Sequence, residues 1–397
     1  MPIHKGIATF GLDYGKCPPW LFERMVKLGS AIMEVMVEEF GPDEFIKRIS
    51  DPGWFQALGT VLAFDWNASG LTTILTAALK EALRGRETEF GIFIAGGKGK
   101  TSLKTPEQIE QYGWKLGLSE QETNNLVYNS KMSAKVDSAL VQDGFVLYHH
   151  AFFFSKNGAW AVVQQGMNAA EQSARRYHWY SENIQDLVVE PHSGISSSVK
   201  TPTLDLSSIQ SKPTQEMSTE MVQNNYGSLM KDIQILRKHA TPLSQSVKIK
   251  QGQQELTFLN LEKKEFTAHP VVLEDFGKSK YLEKVLYKVN EIQPATYEEL
   301  VSLEGVGPKT LRALALVSEI IYGAKPSYED PARYSFAHGG KDATPYPVDT
   351  GTYDESILFF KKVIEKLKVD RSEKKRLVPT DIGTSGDGFD PSEWEVL

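Results

Sequence analysis

The sequence predicts an α+β protein, with a mixed N-terminal domain built on an antiparallel sheet and an all-helical C-terminal domain. Three observations lead there. Apolar residues recur at helical spacing along 20–48, a strand–Asn-Gly–strand pattern occupies 145–165, and from about residue 221 the periodicity is helical again.

Taken in order, 20–48 (WLFERMVKLGSAIMEVMVEEFGPDEFIKR) reads as two helices broken at Gly41-Pro42, where proline cannot continue the hydrogen-bond ladder. A further helix is predicted from about Thr72 to Leu83. Glu89–Ala95 (EFGIFIA) reads as a short buried strand. Phe145–Phe154 is rich in β-branched and aromatic residues, and Ala159–Gln165 returns after Asn157-Gly158, a pair suited to the positive φ angles of a tight hairpin. Adjacent His149 and His150 on such a strand point to opposite faces. Trp54, Phe55 and Trp66 read as core. Residues 1–192 therefore form the predicted α+β domain. Residues 193–220, dense in Ser, Thr and Pro, read as a linker or an extended arm. Residues 221–352 form the predicted helical domain, with a helix at Tyr281–Val289 and a long loop at 324–352. Residues 353–397 give an amphipathic helix (Tyr353–Lys368) and an acidic tail.

Composition narrows the function. The chain has 397 residues, 41% apolar, which is enough for two or three cored domains. Its net charge of -7 excludes a uniformly basic nucleic-acid-binding surface, so any DNA contact must be local. One cysteine, Cys17, excludes within one chain a disulfide framework, a zinc ribbon and a cysteine-ligated cluster. No apolar run reaches membrane-spanning length and no signal-peptide core follows Met1. A soluble cytoplasmic, nucleoid-associated protein that needs no cofactor is the expectation.

The most specific pattern lies at 296–323 (TYEELVSLEGVGPKTLRALALVSEIIYG). Thr296 and Glu299 have capping-box spacing, and Gly305-Val306-Gly307 predicts a turn too tight for side chains at its glycines. Pro308 suits the first turn of the next helix. Unpaired amides at that helix start make an anion site suited to a DNA phosphate, with Lys309, Thr310 and Arg312 beside it.

This segment resembles the hairpin of the helix-hairpin-helix DNA glycosylase superfamily. The resemblance implies that Lys309, two residues past the second glycine, is a Schiff-base nucleophile. It also implies that Asp349, in Pro347-Val348-Asp349-Thr350, is its catalytic aspartate. The whole chain resembles an uncharacterised domain-of-unknown-function family, number seven-six-three, of archaea and thermophilic bacteria. That likeness rests on WFQ at 54–56, DWNASG at 65–70, GGKGK at 96–100, AKVDS at 134–138, VQDG at 141–144, LYHH at 147–150, VVQQGMN at 162–168 and ARRYHW at 174–179.

Other motifs carry weaker signals. The run Gly96–Thr101 (GGKGKT) is not a phosphate loop, because the first glycine such a loop needs falls on Ile94. Lys98 and Lys100 there, and Lys135 elsewhere, are alternative nucleophiles. Arg175 and Arg176, among aromatics, suit phosphate pairing with base stacking, or else a helix end packed on the sheet. Gln142, Gln164 and Gln165 could read a nucleobase. The expected function is a lyase, or a glycosylase/lyase, acting on double-stranded DNA with abasic or damaged sites. Two alternatives stand beside it. One is a metal-dependent nuclease using His149, His178 and Asp143 with the hairpin as a DNA handle; the other is a non-enzymatic DNA-binding protein.

Overall fold

The computed structural model describes residues 17–62, 68–200, 203–239, 248–251, 254–257 and 280–332, with isolated helical positions at 358, 362, 365 and 366. Trp66, Asp349 and nearly all of the expected 353–368 helix and acidic tail lie outside these residues.

Helices α1 (Pro19–Phe40) and α2 (Pro42–Ile49) part at Gly41, whose φ of +83° suits glycine, as the Gly-Pro pair predicts. Helix α3 (Pro52–Val61) is capped by the Asp51 carboxylate, which accepts from the Trp54 amide at 2.8 Å. Helix α4 (Ala68–Leu83) begins before the expected Thr72. A single turn, α5 (Glu87–Phe90), takes up the start of the expected first strand, so β1 runs Ile92–Lys98. A 3-10 helix at Gly99–Lys104 leads into α6 (Thr105–Leu116) and α7 (Glu120–Ala139).

The predicted hairpin forms. Strands β3 (Val146–Ser155) and β4 (Trp160–Asn168) meet across Gly158, at φ +99°. Residues 173–180 form a strand, β5, not the end of a helix. The expected linker also needs correction. Its start is β6 (His192–Ser197), which pairs with β5, and its end lies in α8 (Lys212–Gln223). Serines disguise this region because several of their hydroxyls are bonded inside the fold: Ser193 Oγ donates to the Ser50 carbonyl at 2.8 Å and Ser211 Oγ to the Asp205 carbonyl at 2.5 Å. The sheet is antiparallel throughout, in the order β1-β3-β4-β5-β6. Short β2 (Val141–Gln142) pairs with β7 (Leu204–Asp205).

The C-terminal part contains α9 (Tyr226–His239), α10 (Lys280–Ile292), α11 (Tyr297–Ser302) and α12 (Pro308–Ile320). It is not all helical, because β8 (Lys248–Gln251) and β9 (Gln254–Thr257) form a two-stranded ladder. Its helices share one apolar cluster with the sheet: Phe152, Phe154 and Trp179 join Val136 of α7, Leu286 of α10 and Leu311 and Leu314 of α12. The opposite sheet face, with Ile94, Phe153 and Val163, packs on Met33, Phe45, Phe55 and Leu79 of α1–α4. Each leucine buried there contributes about 1.5–3 kcal/mol, so both faces of the sheet are strongly held. Coverage on both sides is why every residue of β5 is buried.

Candidate functional site

The segment 296–320 is a short helix, a tight turn and a longer helix. The Thr296 side chain accepts from the Glu299 amide at 3.1 Å, while Glu299 reaches back to the Ala295 amide at 2.7 Å, so the capping is reciprocal but shifted by one residue. Leu300 and Val301 are buried, and the Val306 amide closes the turn on the Leu303 carbonyl at 3.3 Å. Gly305 has φ +89°, a conformation that disfavours any Cβ. Gly307 differs from expectation. Its backbone is extended, and nothing lies within 4 Å of where a Cβ would stand. Gly307 thus leaves space open at the start of α12 and relieves no crowding within the turn.

Helix α7 braces this turn. Lys135 Nζ donates to the Leu303 carbonyl at 3.2 Å, and burial lowers the lysine's pKa. Tyr128 donates to Glu298 at 2.6 Å. Gln142, just past α7, donates to the Pro308 carbonyl at 3.1 Å and accepts from Arg312 Nε at 2.5 Å. Lys309 is exposed at the first turn of α12 and Arg312 is half-buried. Thr310 is 2% exposed, so its side chain belongs to the core and is not on the surface expected to meet DNA.

Arg175 and Arg176 require the largest correction. Both are 0% exposed. Arg175 pairs with Asp143 at 3.0 Å and Asp330 at 2.7 Å, and Tyr177 donates to the same Asp143 oxygen as Arg175, at 2.6 Å. Burial pushes the Asp143 carboxyl up against the opposing pull of Arg175. On the other face, Arg176 donates to Thr72 and Gln56 and stacks over Phe55, with burial lowering its pKa to about 9. Neither guanidinium reaches a surface where a phosphate could sit.

The alternative metal centre is not assembled either. His149 and His178 lie on the α3–α4 face, bonded to Thr76 at 3.2 Å and to the Ile49 carbonyl at 3.2 Å, whereas Asp143 lies with Arg175 on the opposite face. Among the described residues no group of three His, Cys, Asp or Glu could hold a metal. Burial lowers His149 to about 3 and His178 well below the ordinary histidine value, so both are neutral at pH 7. His150 joins another network on the α7 face. It bonds Ser130 at 2.9 Å and Gln164 at 3.0 Å, and Gln164 donates to buried Asp137, which also accepts from His192 and Trp179. Gln164 is therefore fully used inside the fold and does not read a base.

The glycine-rich run ends β1. Gly96 has φ +87°, and a Cβ there would stand 2.2 Å from the His150 carbonyl oxygen. Lys80, which the sequence reading did not single out, holds the strand end. Its Nζ donates to the Gly96 carbonyl at 2.8 Å and to Gln108 at 2.7 Å, and burial lowers it to about 8. Only its position on the polar edge of an otherwise apolar helix could have drawn attention to it. Lys98 and Lys100 are exposed. Lys98 stands opposite His149 in the register, at the sheet end where β3 begins with Val146.

The structure thus gathers Lys135, Lys309, Arg312 and Gln142 around the glycine turn, sets Lys98 at the end of β1 and Lys100 in the 3-10 helix after it, and takes Arg175 and Arg176 inside. Among the described residues no helix is long and apolar enough to cross a membrane. No curated protein and no solved structure matches the chain. The profile of the family described as "Protein of unknown function (DUF763)" matches residues 6–348, most of the chain, and the protein belongs to that family.

Proposed function

We propose that the protein is a DNA-repair lyase that seats a phosphate on the turn Gly305–Gly307 and cleaves abasic or base-damaged duplex DNA through a lysine Schiff base. The observation that carries this reading is a half-buried lysine of lowered pKa, Lys135, bonded to the Leu303 carbonyl, two residues before a glycine turn whose outer side is open. The amides at the start of α12 favour an anion there, and Lys309 adds charge beside them.

A Schiff base needs a neutral amine. Burial lowers the Lys135 pKa toward that form, while Lys309, at the position the helix-hairpin-helix resemblance favours, is exposed. In the reaction the amine lone pair attacks the C1′ aldehyde carbon, and a proton moves from nitrogen to the former carbonyl oxygen. A second proton, taken from solvent, lets that hydroxyl leave as water and gives a protonated imine. The imine acidifies the C2′ proton; a base removes it, the C3′–O bond breaks and the phosphate leaves with that electron pair. Asp349 is the carboxylate assigned to this proton transfer by resemblance. Water then hydrolyses the imine and restores the lysine.

Borohydride reduction on a duplex oligonucleotide with one abasic site tests the reading. The expected result is a covalent adduct, unaffected by EDTA, on the peptide containing Lys135 or Lys309. An active protein that gives no adduct, or loses activity in EDTA, would overturn it.

A further inference from the structure

We infer that the loop Gly96–Lys104 is a rigid wedge that places Leu103 into duplex DNA at a missing or unstacked base, with Lys98, Lys100 and Lys104 on the flanking phosphates. The inference rests on the DNA reading above and adds to it a means of finding the lesion.

Leu103 is 80% exposed, and no residue of its 3-10 helix is buried, so this element contributes nothing to either core. Isolated exposed leucines are common on protein surfaces; what sets this one apart is its mounting and its neighbours. From Gly91 to Pro106 the sequence contains lysines and no acidic residue, in a chain of net charge -7. A local cationic segment on an acidic protein selects a polyanion.

The mounting is stiff. Gly96 and Gln108 are joined at 2.8 Å, Lys80 ties both, and a side chain at Gly96 would collide with the His150 carbonyl and Thr105 Oγ1. Within the loop Ser102 Oγ donates to the Gly99 carbonyl at 2.6 Å and Thr105 Oγ1 to the Ser102 carbonyl at 2.7 Å. A wedge ordered before binding loses little further entropy on insertion.

Placement agrees. Lys98 ends β1 at the same sheet end as Val146 and Met167, a cross-strand pair 70% and 39% exposed, and Gln142, four residues before Val146, is bonded to Pro308 and Arg312 of α12, the helix that follows the phosphate-seating turn. Discrimination then comes from the DNA itself. Opening an intact base step costs about a few kcal/mol, and much of that cost is absent where a base is missing. One leucine with lysines also suits an anionic bilayer, but a single side chain buries too little to anchor there.

The test uses the full chain and a duplex bearing 2-aminopurine beside a tetrahydrofuran abasic analogue. Wild type is expected to raise the 2-aminopurine fluorescence on binding. Leu103→Ser should abolish that rise and reduce the preference for abasic over intact duplex by about tenfold, leaving intact-duplex affinity within about threefold. Lys100→Gln with Lys104→Gln should lower the salt slope of binding by about two. If Leu103→Ser keeps both the fluorescence and the preference, the wedge is refuted while lyase activity stands. Loss instead of binding to phosphatidylserine vesicles, with DNA binding unchanged, would replace DNA by a membrane as the partner. A wild type that binds no duplex at all would overturn both this inference and the function it rests on.

Discussion

Strand β5 and the glycine-bearing loops carry their positive charges in opposite ways. In sequence, Arg175-Arg176 among aromatics and Lys98 or Lys309 among glycines all offer cations to DNA, with the Lys309 hairpin the most specific of the three. In the fold the arginines are sealed between two helical layers, with carboxylates on one side and amide, hydroxyl and aromatic groups on the other. The lysines stand exposed where glycines turn the chain. The difference is one of layering. A sheet covered on both faces buries whatever its central strands carry, so arginines there must be matched internally; a turn outside the layers leaves its cations to solvent.

The largest expected effect tests the buried side of this contrast. Arg175→Met leaves Asp143 and Asp330 inside the fold without their cation and should cost about 3–5 kcal/mol of stability, measured by chemical denaturation. A variant of unchanged midpoint would mean that Arg175 is not a structural ion and would reopen its surface reading.

Acid should expose the same interior. His149, His150 and His178 all have folded pKa values lowered by burial, His149 to about 3. The unfolded chain therefore binds more protons below the ordinary histidine pKa of about 6.5, and stability should fall as pH drops from there, by up to about 1.4 kcal/mol per pH unit per histidine. For His149 the loss continues down to its folded value near 3. His149→Gln should flatten this slope by one proton's worth; an unchanged slope would show that this histidine is already protonated in the fold.

The smallest effect on stability separates two glycines of one turn. Gly305→Ala forces a side chain into φ +89° and should cost about 1–2 kcal/mol. Gly307→Ala, extended and facing open space, should change stability by less than about 0.5 kcal/mol, yet weaken duplex binding by crowding the phosphate seat. Equal destabilisation by both, with binding intact in each, would reduce the turn to a packing element.

Local chemistry was legible where it was self-sufficient. The Gly41-Pro42 break, the Asn157-Gly158 hairpin and the Thr296 cap each follow from residues within a few positions of one another, and each stands where the pattern puts it. Polar strands were not legible. The edge strand His192–Ser197 owes its place to pairing with Arg175–Trp179, a partner no local pattern announces, and its serines read as a linker. The start of β1 was misplaced because Glu87–Phe90 closes one helical turn first. In the candidate site, the glycine turn and Lys309 could be found from sequence, and Lys135 only as one amine among several. Its lowered pKa and its bond to Leu303, 168 residues away, depend on two distant helices meeting.

By itself, then, the sequence determined elements whose hydrogen bonds close locally: the helices either side of Gly41-Pro42, the tight hairpin and the glycine turn with its open helix start. Tertiary structure alone decided which charges are inside. Burial depends on what covers a strand, and the covers here are α1–α4 on one face and α7 with α10 and α12 on the other, drawn from both ends of the chain. Cations under those layers are held by internal partners and those beyond them stay exposed, because desolvation acts on position in the fold and not on the motif.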